Sequence, residues 1–302
     1  MHGINKKLAL FSFYKFKKIE NPTILKNNIE NLNKKNNFFG TILLSKEGIN
    51  GTISGKLRSI ESFKKFLSIN VSKEISIKAQ IVNEIPFKKF KVKVKDQIIK
   101  IGKKNVCPEE NTGEFLSPNE WNKFLGEKDT IVIDTRNFYE SQIGSFENSI
   151  LPLTDSFSEF PRWFEENKKK FRNKNILTFC TGGIRCEKAT SYIKKLGFKK
   201  VYQLEGGILN YFKEIKEKRS YFRGECFVFD DRVSVNHSLE KGVCSVCYAC
   251  GHPMTKNDLM SKFYKKGVSC KNCYYKTTIK QKKKFKERQK QFHINEKIKS
   301  KT

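Results

Sequence analysis

The chain has 302 residues, 37% of them hydrophobic and 26 of them Phe, enough for two ordinary cores with a small third module. Lys and Arg number 61 against 31 Asp and Glu, a formal charge of +30, and this excess has two readings of equal weight: a polyanionic partner, RNA first, or a compositional bias toward Lys, Asn and Ile. No apolar run approaches the ~20 residues of a bilayer span and residues 1–10 show no signal-peptide pattern, so a cytoplasmic protein without a membrane partner is expected.

In chain order, residues 8–16 read as a strand and residues 22–35 as a helix opened by Asn21 as N-cap and Pro22 at the first helical position. Residues 38–45 and 49–54 read as strands around Lys46-Glu-Gly48, residues 57–69 as a helix and residues 75–85 as a strand. The order βαββαβ is that of a ferredoxin-like sandwich, assigned to residues 1–102. The Gly-rich stretch 40–55 follows neither the phosphate-cradling nor the dinucleotide pattern and reads as a tight hairpin.

Residues 89–95 alternate strictly, which predicts a strand with Phe90, Val92 and Val94 inward and Lys89, Lys91, Lys93 and Lys95 along one outer face. Ammonium groups two residues apart can track a phosphate backbone, which makes these four lysines the candidate RNA-binding residues. The alternative, a solvated edge strand guarded by lysines, carries the same weight. Residues 103–116, with Pro108 and Gly113, read as a linker.

From residue 117 the pattern becomes βα and extends to residue 220. Ser117 and Glu120 form a capping box ahead of a helix containing Trp121, Phe124 and Leu125, and residues 130–134 form a short buried strand. Asp134 and Arg136 at its end read either as lining a crevice or as a structural ion pair. Residues 160–171 are helical. Residues 176–179 then form a strand that delivers Cys180 to a loop, Cys180-Thr181-Gly182-Gly183-Ile184-Arg185, beyond which Ala189, Ile193 and Leu196 recur at helical spacing and Gly197 is the stop. Residues without Cβ let successive N–H groups converge on the Cys180 sulfur at the positive end of a helix dipole. A free thiol has a pKa of about 8.5, and helix N-termini and neighbouring Arg lower it to about 3.5–7.5. Cys180 is therefore expected to be a thiolate, with Arg185 positioned to hold an anionic substrate. Residues 201–204 form another strand and residues 205–209 open a further helix, so strands alternating with helices predict a mainly parallel sheet.

The loop 180–185 resembles the active-site loop of a rhodanese domain, in which the cysteine carries a persulfide. Cys180-Thr-Gly-Gly-Ile-Arg-Cys-Glu-Lys-Ala189 is similar, more closely, to the oxygen-dependent tRNA wobble-uridine hydroxylases. Glu47-Gly-Ile-Asn-Gly-Thr52 resembles the signature of that family's N-terminal domain, Asp134-Thr-Arg136 with Glu140 resembles a rhodanese element, and residues 221–235 resemble the extension that follows the rhodanese domain. The resemblance implies 5-hydroxylation of the wobble uridine of tRNA with molecular oxygen, the first step toward 5-carboxymethoxyuridine, with Cys180 catalytic. Composition and spacing by themselves fit equally a rhodanese-type sulfurtransferase or persulfide carrier. A non-catalytic RNA-binding scaffold is disfavoured by the intact Cys180 and Arg185.

Nine cysteines without an export signal point to thiol chemistry or metal rather than a disulfide framework. Cys247-x2-Cys250 and Cys270-x2-Cys273, nineteen residues apart, have the two-knuckle spacing of a structural zinc site within residues 221–279, with Cys244 as a surplus partner and His252 as an alternative ligand. There is no glycine fingerprint for a flavin or nicotinamide, and His2, His237, His252 and His293 do not cluster as an iron facial triad does. Residues 280–302 form a Lys-rich tail, helical at first and then frayed, for which RNA contact and plain solvation are equal readings.

Overall fold

The computed structural model describes residues 7–299, with side chains through residue 294; His2 and the outermost residues of the expected N-terminal domain and tail lie outside the described residues. The chain divides into two compact units, residues 1–137 with 148–215, and residues 138–147 with 216–302.

The first unit begins with β1 (Leu8–Phe16), α1 (Pro22–Asn36), β2 (Phe39–Ser45), β3 (Gly48–Lys56), α2 (Leu57–Asn70), β4 (Ser76–Val82) and β5 (Phe90–Val94). Asn21 caps α1 as its spacing predicts, its side-chain oxygen accepting from the Thr23 and Ile24 N–H groups. The sheet order β4-β1-β3-β2 is that of the ferredoxin-like sandwich, and β5 extends it in parallel beside β2. Phe11, Phe13, Phe38 and Phe63 interlock under the sheet with ring centroids 5.2–6.2 Å apart. One expectation fails on β5: Val92 is buried, but Val94 is 43% exposed. It stands at the last position of an edge strand, where the sheet has a neighbour on one side only.

The expected linker 103–116 ends in β6 (Glu114–Leu116), which joins a second sheet, and Gln203 Nε2 donates to the Gly113 carbonyl at 2.8 Å. α3 (Pro118–Phe124) and β7 (Thr130–Asp134) follow, and the Ser117–Glu120 capping box is present. The chain then passes through α4 (Phe138–Ser141) and β8 (Gly144–Phe146), returns with α5 (Phe160–Asn167), β9 (Asn175–Phe179), α6 (Ile184–Lys195), β10 (Val201–Leu204) and α7 (Gly207–Glu214). The sheet β6-β10-β9-β7 is parallel throughout. Parallel strands need covering on both faces, and Phe160, Phe164, Phe171, Ile193 and their neighbours provide one buried layer.

The second unit contains α4 and β8 together with β11 (Phe222–Gly224), β12 (Cys226–Phe227), β13 (Ser234–Val235), β14 (Ser245–Val246), β15 (Pro253–Met254), α8 (Lys256–Leu259) and α9 (Ile279–Lys299). β8 pairs antiparallel with β11, setting Phe146 against Phe222, so residues 138–147 pack with the extension rather than with the 117–220 span in which their position in the chain would put them. Glu225 braces this unit, accepting from the Ser234 hydroxyl and from the N–H groups of Val243 and Cys244. Among the described residues no helix is long and apolar enough to cross a membrane.

Candidate functional site

β9 ends at Phe179 and hands the chain to Cys180, of which 1% is exposed. The loop then turns into α6 through Gly183, whose φ of +102° is in the region that favours glycine. A Cβ there would lie 2.9 Å from the Tyr14 hydroxyl, whereas at Gly182 φ is not positive and such an atom would meet only the Lys78 ammonium at 3.7 Å. The two glycines are therefore not equivalent. Gly183→Ala is expected to cost most of the activity of the Cys180 site and Gly182→Ala little, measured as turnover at matched folded protein; equal loss in both would contradict this geometry.

The Gly183 N–H donates to the Cys180 sulfur at 3.0 Å, the converging donor expected from the loop. Burial pushes the Cys180 thiol up, but the Cys186 thiol, the Arg185 guanidinium and the N–H groups of Cys186 and Gly183 outweigh it and hold it well below its ordinary value. Cys186 moves the other way, raised by burial and by the Cys180 charge it donates to. The two thiols are thus pushed in opposite directions, Cys180 down and Cys186 up. Thr181 and Arg185 are buried beside it, and Ile184 opens α6.

Asp134 and Arg136 form an ion pair with each other, Nη2 to Oδ2 at 2.6 Å and Nε to Oδ1 at 3.0 Å, with no exposed side-chain surface on either. The guanidinium lies 5.7 Å from the centre of the Phe179 ring, the residue before Cys180. The pair is local to the end of β7, and the guanidinium beside the Phe179 ring links it toward β9.

Three contacts that no local pattern announces bring the N-terminal sheet to this loop. Tyr14 on β1 donates to Glu187 Oε1 at 2.7 Å. Lys78 on β4 donates to the carbonyls of Gly182, at 2.6 Å, and Gly206. Lys188, with 1% of its side chain exposed, donates to both oxygens of Glu47 at 2.8 Å, to Gln97 Oε1 and to the Ile99 carbonyl. Burial lowers the Lys188 ammonium and Glu47 opposes that shift. The pair is buried on the Lys188 side and 24% exposed on the Glu47 side, and it ties the Glu47-Gly-Ile-Asn-Gly hairpin to α6.

Burial raises Glu187, while the Tyr14 hydroxyl pulls it back; Tyr14 is raised well above its ordinary value by burial and by the Glu187 charge. Both line an open cleft of about 420 Å³ beside the loop, together with Phe16, Phe115, Glu205 and Gly206. Lys89, Lys91, Lys93 and Lys95 are exposed as expected. They belong to the β5 edge of the sheet, the opposite edge from the β4 that carries Lys78, four strand spacings or about 19 Å away.

Residues 8–98 match the UPF0176 acylphosphatase like domain and residues 117–214 the Rhodanese-like domain. A tRNA uridine(34) hydroxylase of Prochlorococcus marinus subsp. pastoris (strain CCMP1986 / NIES-2087 / MED4) is 43% identical over 298 residues, 97% of this chain and 96% of that protein. One from Prochlorococcus marinus (strain MIT 9515) is 44% identical over 292 residues, 95% of this chain and 94% of that protein. The chain belongs to the tRNA uridine(34) hydroxylase family. A solved rhodanese-like domain protein from Staphylococcus aureus is 24% identical, with a TM-score of 0.28, covering 32% of this chain and 90% of that chain.

This member of the hydroxylase family also brings Cys247, Cys250, Cys270 and Cys273 together, their sulfurs all within 4.8 Å of one another. A tetrahedral site with Zn–S bonds of about 2.3 Å has sulfurs about 3.8 Å apart. Cys250 to Cys270 measures 3.7 Å and Cys270 to Cys273 3.8 Å, so the four thiols fit such an ion. Cys244 and His252 are not in the group. The Cys244 N–H is committed to Glu225, and the His252 ring packs 5.1 Å from that of Tyr139.

Sequence reasoning missed Tyr14, Lys78, Glu187 and Lys188 as parts of the Cys180 site. Glu187 and Lys188 fall inside the quoted Cys-Glu-Lys stretch and Glu47 inside the hairpin signature, so family resemblance held the signal for those. For Tyr14 and Lys78 there was none.

Proposed function

We propose that this protein hydroxylates uridine 34 of tRNA at C5, with molecular oxygen as co-substrate and Cys180 as the catalytic thiolate. The observation that carries the reading is the Cys180 sulfur, held by the Gly183 N–H and the Arg185 charge, within a chain that aligns end to end with relatives so named. Oxidoreductase chemistry, tRNA as the partner and a cytoplasmic setting follow from this reading. The open cleft beside the loop, with Phe16 and Phe115 on its wall, offers the apolar faces against which a base could lie. Arg185 and the loop N–H groups supply positive potential at Cys180 for an anion. Cys247, Cys250, Cys270 and Cys273 would hold one zinc ion, which supplies folding energy to the extension rather than chemistry.

Nucleoside mass spectrometry of tRNA from cells with and without the gene tests the reading. 5-Hydroxyuridine and its carboxymethoxy derivative are expected to disappear with the gene and return on complementation. Unchanged nucleosides would sink the proposal. The same thiolate in a rhodanese-like loop supports a second reading, persulfide transfer, which predicts loss of a thiolated nucleoside or of thiosulfate sulfurtransferase activity instead.

A further inference from the structure

We propose that the four-cysteine module carries a surface for single-stranded RNA, built from exposed tyrosines and the basic helix α9. Tyr275 is 80% exposed, Tyr248 64% and Tyr274 36%. Such exposure of large rings wastes apolar area in a module whose core is small, unless a partner covers it. Phe263, Tyr274 and Tyr275 brace one another with ring centroids 5.0–5.4 Å apart, which fixes the Tyr275 ring while leaving it open to solvent.

α9 is anchored beside these rings. Arg288 donates to the Tyr248 carbonyl at 2.5 Å, and Lys282 donates to the Tyr274 carbonyl at 2.7 Å while its ammonium lies 4.2 Å from the centre of that ring. The helix runs 21 residues, about 30 Å, and through residue 294 it is mostly Lys, Arg and Gln, with Ile279, Phe285, Phe292 and Ile294 interspersed. Its Lys280, Lys283, Lys284 and Lys286 are exposed and make no ion pair among the described residues. Like charges crowded on one helix repel until a polyanion neutralises them.

Aromatic faces interleaved with unpaired ammonium groups match one class of ligand, a strand whose bases are unpaired. The bases stack on the rings and the phosphates meet the lysines. A duplex offers phosphates but no free base faces, and an anionic membrane offers no planar groups to stack. The choice of RNA rests on the tRNA reading above, in which the target uridine itself lies in an unpaired loop.

The test uses the full-length, metal-loaded protein, a short oligouridylate and a duplex RNA of equal length, each titrated across salt. Tyr275→Ala is expected to weaken oligouridylate binding about tenfold while duplex binding and metal content stay unchanged, and Tyr275→Phe to retain wild-type affinity. Lys283→Ala with Lys284→Ala is expected to lower the slope of log K against log salt by about 1.4. Unchanged oligouridylate binding by Tyr275→Ala, equal weakening toward single strand and duplex, or an unchanged slope in the lysine variant would overturn the proposal. So would binding to phosphatidylserine vesicles in preference to oligouridylate. Wild-type protein that hydroxylates tRNA while Tyr275→Ala binds normally overturns this surface alone. Wild-type protein that neither binds nor hydroxylates RNA overturns both readings.

Discussion

Cys180→Ser is expected to leave the fold intact and to remove 5-hydroxyuridine from tRNA altogether. Serine nearly preserves the volume of a side chain that is 1% exposed, so the packing around β9 and α6 survives. The hydroxyl, however, stays protonated where the thiol ionises, and the Gly183 N–H then faces a neutral oxygen in place of an anion. Cys186→Ser should retain most activity, because a hydroxyl can still donate to the Cys180 thiolate. The decisive assay compares 5-hydroxyuridine in cells expressing each variant at matched levels; full hydroxylation by Cys180→Ser would remove the thiolate from the mechanism.

The ionisation has its own signature. Thiolate absorbance in the ultraviolet, taken as the difference between wild type and Cys180→Ser, is expected to persist at neutral pH. For stability the sign follows from proton counting. The folded Cys180 pKa is depressed, so the unfolded chain binds more protons between that value and the ordinary thiol value of about 8.5. The stabilising contribution is therefore present above the ordinary thiol value and is lost as pH falls through the folded value. Denaturant titrations of the two proteins should converge on the acid side, and curves that stay parallel throughout would contradict a depressed thiol.

Stripping the metal is the second large effect. Metal analysis should give about one equivalent of zinc, and removing it, by chelation or by Cys270→Ser, is expected to unfold the four-cysteine module. The core there consists of little more than the ligands themselves, Met254 and the flanking Tyr264. Without an ion, four thiols 3.7–4.8 Å apart have no interaction strong enough to replace it, since structural zinc contributes on the order of 10 kcal/mol. Limited proteolysis should then cut within residues 244–275 while the unit holding Cys180 remains resistant. A metal-free chain that is fully folded and active would rule out the ion's structural role.

What is local in the chain can be read from its residues. The Asn21 cap with Pro22, the Ser117 capping box, the βαββαβ order and the strand-loop-helix at Cys180 are each written within a dozen residues, where spacing and φ preferences act directly. The two Cys-x2-Cys pairs were equally legible, because tetrahedral ligation imposes its own spacing. Which distant groups meet emerges with packing. Tyr14 reaches Glu187 across 173 positions and Lys188 reaches Glu47 across 141, and neither contact leaves a periodic trace. Packing also drew β8 into pairing with β11, left Cys244 outside the four-cysteine group, and separated the Gly183 that must be glycine from the Gly182 that need not be. The physical reason is common to all of these. Local structure follows from backbone preferences that each residue carries with it, whereas a buried ion pair or a shared cleft exists only once packing has brought two elements within hydrogen-bond reach.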